Sequence, residues 1–173
     1  LAKQTIIQEA ESVAGLASFI NDDFNKVIDL IINCKGRLVI SGIGKSAIIA
    51  QKIVATLNST GTPSLFMHAA DAIHGDMGMI QQDDVVMIIS KSGDSPEIKV
   101  LVPIVKNFGN KIIAMVGQTQ SYLAKRANLI LNTTVTKEAC PNNLATTSST
   151  PAQMVIGDAI AICLLHVNGF RAD

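Results

Sequence analysis

Asp84-Val-Val-Met-Ile-Ile-Ser-Lys-Ser-Gly-Asp-Ser-Pro-Glu-Ile98 is the stretch on which the fold turns. Residues 85–89 are all apolar, too short a run for an ordinary helix and rich in β-forming side chains. They read as a strand covered on both faces, as in a parallel sheet. A hydroxyl-rich turn follows, with Ser90, Ser92 and Ser95 around Gly93. Ser95-Pro96-Glu97 then has the marks of a helix start: a serine N-cap, proline at the first helical position and an acid in the first turn. The predicted helix carries Ile98, Leu101, Val102, Val105 and Phe108 on one face and closes at Gly109. Unpaired amides and the positive end of the helix dipole therefore meet three hydroxyls, a phosphate cradle that needs no Lys or Arg.

Working outward, strands are predicted at 37–41, 62–67, 111–116 and 128–131, with helices between them. Two helices precede the sheet. Ile6, Ile7, Ala10, Val13, Ala14, Ala17 and Ile20 form a stripe over 5–20, and Asn21-Asp22-Asp23 caps a second helix carrying Phe24, Val27, Ile28, Ile31 and Ile32. Another helix runs from the glycine turn at 42–46 to about Asn58, and a short one spans about 121–126. Residues 149–167 form a last helix, apolar nearly all round and hence expected to be buried, His166 included. Alternating strands and helices predict an α/β fold. It is a doubly wound, five-stranded parallel sheet flanked by helices, flavodoxin-like, with ligands bound beyond the carboxyl ends of its strands. The whole of 1–173 reads as one domain, with N-terminal helices over 1–36 and an α/β core over 37–173.

Composition narrows the function. Hydrophobic residues make up 48% and charged residues 16%, an apolar excess that predicts subunit interfaces. Fourteen basic and fourteen acidic residues balance without clustering, which argues against a nucleic-acid partner. An aromatic content of 3% without Trp argues against base stacking as well. Cys34, Cys140 and Cys163 are odd in number and lack C-x-x-C spacing, so a reducing cytoplasm is expected, with no disulfide framework and no metal site. No signal peptide opens the chain, and the apolar run at 159–165 is too short to cross a bilayer, so no membrane partner is expected. Leu1 at the start leads us to expect that the native start precedes it.

Gly42-Ile-Gly-Lys-Ser46 invites two readings that fail. A Walker A loop needs glycine where Val39 stands, and no acid ends the second strand as a dinucleotide fingerprint requires. What remains is a tight turn that delivers Lys45 to the mouth of the sheet. His74, before a Gly-Asp turn, is a candidate proton shuttle or else an interface or core histidine. Glu138 follows the fifth strand, and Thr146-Thr-Ser-Ser-Thr150 opens the last helix with a second hydroxyl-rich N-terminus. Glu97 and Glu138 thus lie on the loop side of the sheet, where two carboxylates serve proton transfer. An acid in the first turn, such as Glu97, also stabilises a helix without any chemistry.

Taken together these pieces resemble the SIS (sugar isomerase) domain family, and closely its arabinose 5-phosphate isomerases. The resemblance rests on Ser41-Gly-Ile-Gly-Lys-Ser46, Ile73-His-Gly-Asp-Met-Gly-Met79, Ser90-Lys-Ser-Gly-Asp-Ser95 with Glu97, and Glu138-Ala-Cys-Pro141. Leu144-Ala-Thr-Thr-Ser-Ser-Thr150 and Gly157-Asp-Ala159 add to it. It implies reversible conversion of ribulose 5-phosphate to arabinose 5-phosphate through an enediol, feeding Kdo and lipopolysaccharide synthesis, without a cofactor and in a homo-oligomer, usually a tetramer. By the same resemblance Lys45, Glu97, Glu138 and His74 fall on catalytic positions. Gly44, Ser46, Ser90, Ser92, Ser95, Thr147, Ser148 and Ser149 fall on sugar-phosphate contacts. Asp71 departs from a Glu common in relatives, and Asn142-Asn143 from a Leu-Gly pair. The family's Ser-His-Pro-Gly-Gly segment, and the CBS domains that follow it in many relatives, would lie beyond Asp173. Truncation at that point predicts poor turnover with folding intact. Two alternatives stay open: isomerisation of another sugar phosphate, and a non-catalytic sugar-phosphate sensor.

Overall fold

A computed structural model describes residues 1–169. The apolar run at its centre becomes β3 (Val85–Ser90), buried along its whole length. It pairs with β1 (Leu38–Gly42) on one side and β4 (Lys111–Val116) on the other. β2 (Ser64–His68) and β5 (Leu129–Asn132) complete a five-stranded, wholly parallel sheet in the order β2-β1-β3-β4-β5. Successive side chains alternate between two cores. Leu38, Ile40, Met87 and Ile89 face one layer of helices, while Val39, Val86 and Ile88 face the other. Each such side chain, fully buried, contributes about 1.5–3 kcal/mol. The order reverses between β1 and β3, and that reversal opens a crevice at their carboxyl ends.

The first layer contains α2 (Asp22–Ile32), α3 (Lys45–Ser59) and α7 (Ser149–Val167). Asn21 caps α2 as the sequence suggests, its Oδ1 accepting from the Asp23 and Phe24 amides at 3.0 and 3.4 Å. α3 and α7 approach closely at Gly157, where a Cβ would lie 2.4 Å from Ile53 Cδ1. The second layer contains α4 (Ala69–Ile73), α5 (Pro96–Asn107) and α6 (Tyr122–Arg126).

At the amino ends of the strands, Asp84 ties three elements together. Its carboxylate accepts from the Arg37 and Gln81 amides at 2.7 and 2.8 Å and from Arg37 Nη2 at 2.9 Å. Asn110 Nδ2 donates to the Asp84 and Gln81 carbonyls, both at 2.8 Å. Burial pushes the Asp84 carboxyl up, but Arg37 and these amides more than offset it and hold it below the usual carboxylate range.

Two expectations fail, each for want of a covering surface. Phe108 is half exposed because α5 ends at Asn107 and leaves it at the C-cap. The N-terminal stripe forms a helix, α1 (Ala2–Gly15), that buries none of its own residues within one chain. α7 buries only one face; Ile162 and Val167 are exposed on it, and so is His166, against the expectation of burial. An all-apolar helix needs cover on every side, and one chain supplies a single side.

Candidate active site

The crevice at the β1/β3 reversal holds a cavity of about 370 Å³. Lys45 and Ser46 reach it from the start of α3, and Ser90, Lys91, Ser92 and Ser95 from the loop after β3. Thr146, Ser149, Thr150 and Gln153 close it from the start of α7. Gly93 makes the serine loop possible. Its φ of +68° suits glycine, and a Cβ there would lie 2.2 Å from Ser121 Oγ. Its amide donates to Ser90 Oγ at 3.0 Å, which tightens the turn. Ser95 sits at the N-cap of α5, yet its hydroxyl makes no capping bond. Ser95 Oγ, Thr146 Oγ1 and Ser149 Oγ are buried without partners, and all three residues line this cavity. Buried hydroxyls are costly to leave unpaired, so their convergence marks a place for a polar ligand. A smaller cavity at the opposite end of the strands, about 120 Å³ and lined by Ile31, Leu38 and Leu164 among others, has no charged side chain in its wall.

Glu138 stands behind the cavity with its side chain wholly buried. Its two oxygens are treated differently. Oε2 accepts from the backbone amides of Thr147, Ser148 and Ser149 at 2.8, 2.8 and 3.1 Å, the first turn of α7. Oε1 lies 2.6 Å from Lys91 Nζ, a close ion pair rather than an aligned hydrogen bond. Burial pushes this carboxyl up, but Lys91 and the amides of Ser149 and Thr147 outweigh it and hold it at about 2. The loop that carries Glu138 is braced as well. Asn143, in the left-handed region at φ 53°, accepts from the Glu138 amide at 2.8 Å, and Thr147 Oγ1 accepts from the Ala139 amide at 2.8 Å. Nearby, the amides of Ala145, Leu144 and Asn142 hold the Cys140 thiol below its usual range.

The fold therefore brings together Lys45, Ser46, Ser90, Ser92, Ser95, Ser149 and Glu138 as the sequence suggests. Gly44 forms the turn into α3, with φ 58°. The amides of Thr147 and Ser148 hold Glu138, and neither residue lies in the wall of the cavity. Glu97 lies half-buried in the first turn of α5, outside the wall of the cavity. His74 is exposed where α4 ends and likewise lies outside it. Two residues of the site carry little signal in the sequence. Lys91 stands unmarked between two serines, and Gln153 is hidden in an apolar helix, although it is buried and accepts from Ser46 Oγ at 3.2 Å. The one signal for Gln153 is its place one turn beyond Ser149, on the same face. Among the described residues, no group of three or more His, Cys, Asp or Glu side chains could hold a metal ion.

With this geometry in hand, similarity to known proteins is specific. A model of the SIS domain matches residues 30–163. Arabinose 5-phosphate isomerase KdsD of Pseudomonas aeruginosa is 51% identical over 99% of this chain and 53% of its own length. Arabinose 5-phosphate isomerase KpsF of Escherichia coli O6:H1 is 47% identical over 99% of this chain and 53% of its own. The chain thus spans about half the length of the curated relatives it matches. Among solved structures, the E. coli CFT073 protein c3406 in complex with arabinose 5-phosphate superposes with a TM-score of 0.96 at 37% identity, over 99% of this chain and 91% of that one.

Proposed function

This chain belongs to the SIS domain family, and from that premise we propose that it is an aldose–ketose isomerase interconverting ribulose 5-phosphate and arabinose 5-phosphate. One observation carries the reading. Glu138 is a buried carboxylate, anchored through one oxygen and facing a cation with the other, beside a cavity rich in unpaired hydroxyls. Similarity to the isomerases and to the sugar-phosphate complex supports the choice of sugar.

The reaction moves a proton between adjacent carbons. From the ketose, Glu138 removes a proton from C1, and the C–H electrons form the C1–C2 double bond as the carbonyl oxygen at C2 takes up a proton. The enediol then loses the proton of its C1 hydroxyl and regains one at C2, which gives the aldose. The base must be fixed in direction, and the amides of α7 support that role for Glu138. Lys45 stabilises the charge that develops on the oxygens, and Ser90, Ser92, Ser95 and Ser149 receive the phosphate with Ser46 beside them. Glu97 serves as the partner of Glu138 or as the acid, and His74 assists ring opening or orients the pocket. No cofactor enters the scheme.

The same proposal extends to a homo-oligomer, a tetramer, which would cover exposed Ile6, Ile48 and Ile162. It also places the enzyme in the cytoplasm, supplying arabinose 5-phosphate for Kdo and lipopolysaccharide, with CBS domains in the longer protein. Proton NMR of the protein with a panel of sugar phosphates tests the chemistry. Interconversion of the two pentose phosphates is expected, with deuterium from heavy water entering at C2 of the aldose. Turnover of only a hexulose or heptulose phosphate would overturn the choice of sugar. Binding without turnover of any of them would indicate a sensor.

A further inference from the structure

Lys91 carries more than the scheme above uses. Its ammonium is the only cationic partner of Glu138 among the described residues, and the same side chain lines the serine cavity. It also lines an adjoining cavity of about 260 Å³, together with Thr133, Ser149 and Gln153. Lys91 thus stands where the two spaces meet. Its side chain is 40% exposed, whereas that of Glu138 is not exposed at all. Glu138 is in the wall of neither cavity, while the lysine paired with it is in the wall of both.

We propose that Lys91 changes partners when the sugar phosphate binds, its ammonium leaving Glu138 Oε1 for the phosphate dianion and so uncovering the oxygen that takes the substrate's proton. The inference rests on the isomerase reading of this site. Three features support the exchange. A phosphate dianion in the serine loop presents about twice the charge of a carboxylate, and lysine, with its flexible stem and three rotatable donors, is suited to re-aiming. Losing Lys91 does not strand Glu138, because Oε2 keeps its three amide donors. Those donors also fix where Oε1 points after the lysine has gone.

The resting ion pair keeps Glu138 unreactive, because a carboxylate held at about 2 is a weak base. Release of Oε1 raises its basicity only while a phosphate is present. A phosphorylated sugar would thereby be required for chemistry and not only for affinity. Besides Asp71, Asp76 and Lys99, the charged groups at this end of the sheet include Lys45, Asp94, Glu97 and Lys137. Lys45 lines the cavity and remains to meet the substrate's oxygens, and Asp94 is 3.7 Å from Lys99. None of the four pairs with Glu138 in the described structure.

Carbon-detected NMR titration of the Glu138 side-chain carboxyl tests the exchange directly, without recourse to activity. It is run on the full chain, free and saturated with arabinose 5-phosphate, and on Lys91→Met and Lys91→Arg. The midpoint should rise by about one pH unit or more in Lys91→Met and by a similar amount in the wild type when the sugar phosphate is added. The ligand should move it no further in Lys91→Met. Lys91→Arg keeps the cation and should keep the low midpoint, which separates loss of charge from loss of fold. Chemical-shift changes at the Ser92 and Ser95 amides report binding independently. Binding that leaves the Glu138 midpoint of the wild type unchanged would refute the exchange and spare the isomerase reading. An unchanged midpoint in Lys91→Met would do the same. If arabinose 5-phosphate fails to perturb the serine loop at all, the isomerase reading fails and the exchange fails with it.

Discussion

Gln8 Nε2 donates to the backbone carbonyl of Glu138 at 2.7 Å, across 130 positions of sequence. α1 buries none of its own residues, yet through this bond it touches the main chain that carries the buried carboxylate. Gln8→Ala should therefore cost about 1 kcal/mol of stability, the net worth of one hydrogen bond. Turnover should fall by up to about tenfold while KM changes little, since Gln8 does not line the cavity. Steady-state kinetics beside urea unfolding decides it; a rise in KM alone would show that α1 acts on binding instead.

Glu138→Gln should retain sugar-phosphate binding and lose about 10²–10⁴ in rate, the usual worth of a positioned general base. Near-normal turnover would shift the role to Glu97.

The same residue predicts an acid sensitivity of the fold. Its folded-state value of about 2 lies below the ordinary 4.5, so it stabilises the native state fully above 4.5. As the pH falls from 4.5 towards 2, that contribution drains away, because the unfolded chain takes up the proton first. Its size at neutral pH is on the order of 3 kcal/mol. Urea unfolding of wild type and Glu138→Gln should differ most at about pH 7, narrow as the pH falls below about 4.5, and converge only towards about pH 2. A gap that stayed constant across that range would refute the coupling.

Ser95→Ala should raise KM about tenfold or more for the sugar phosphate, since a hydrogen bond to a charged group is worth about 1.5–3 kcal/mol. The thermal midpoint should not fall, because the Ser95 hydroxyl has no partner within the protein. A drop in Tm with unchanged KM would mean that the hydroxyl serves the fold and not the ligand.

Gly157→Ala should destabilise by about 1–3 kcal/mol through overpacking against Ile53. Ile53→Ala alone also costs stability, by opening a cavity. The double substitution should lose less than the sum of the two, and strict additivity would place the strain elsewhere.

Much of this is legible in the sequence, and what is not has a common cause. Residues 85–89 announce a strand because a run apolar on both faces suits only the middle of a layered sheet. Pro96-Glu97 announces the start of α5 because the preferences for proline and acid in a helix's first turn act within a few residues. Lys91 and Glu138 cannot be paired in the same way. Their meeting depends on two loops, far apart in sequence, closing over the same strand ends. Nor can periodicity foretell that the Thr147 and Ser148 amides hold a carboxylate of the chain itself. The outer face of α7 reads as buried because hydrophobicity records that a surface wants cover and is silent on what provides it.

The Asp84 tie has a bearing on how such a protein can change over time. It fixes β1, β3 and β4 against one another at the ends of the strands farthest from the chemistry. Alignment of the strands is therefore settled by residues that never meet a substrate. The side chains on the loops at the other ends, such as Lys45, Ser92 and Ser95, lie outside the strands and are not among the groups that Asp84 ties. Diversification of ligand preference and persistence of architecture are thus entrusted to opposite rims of one sheet, and mutations at either rim are inherited largely independently in their effects.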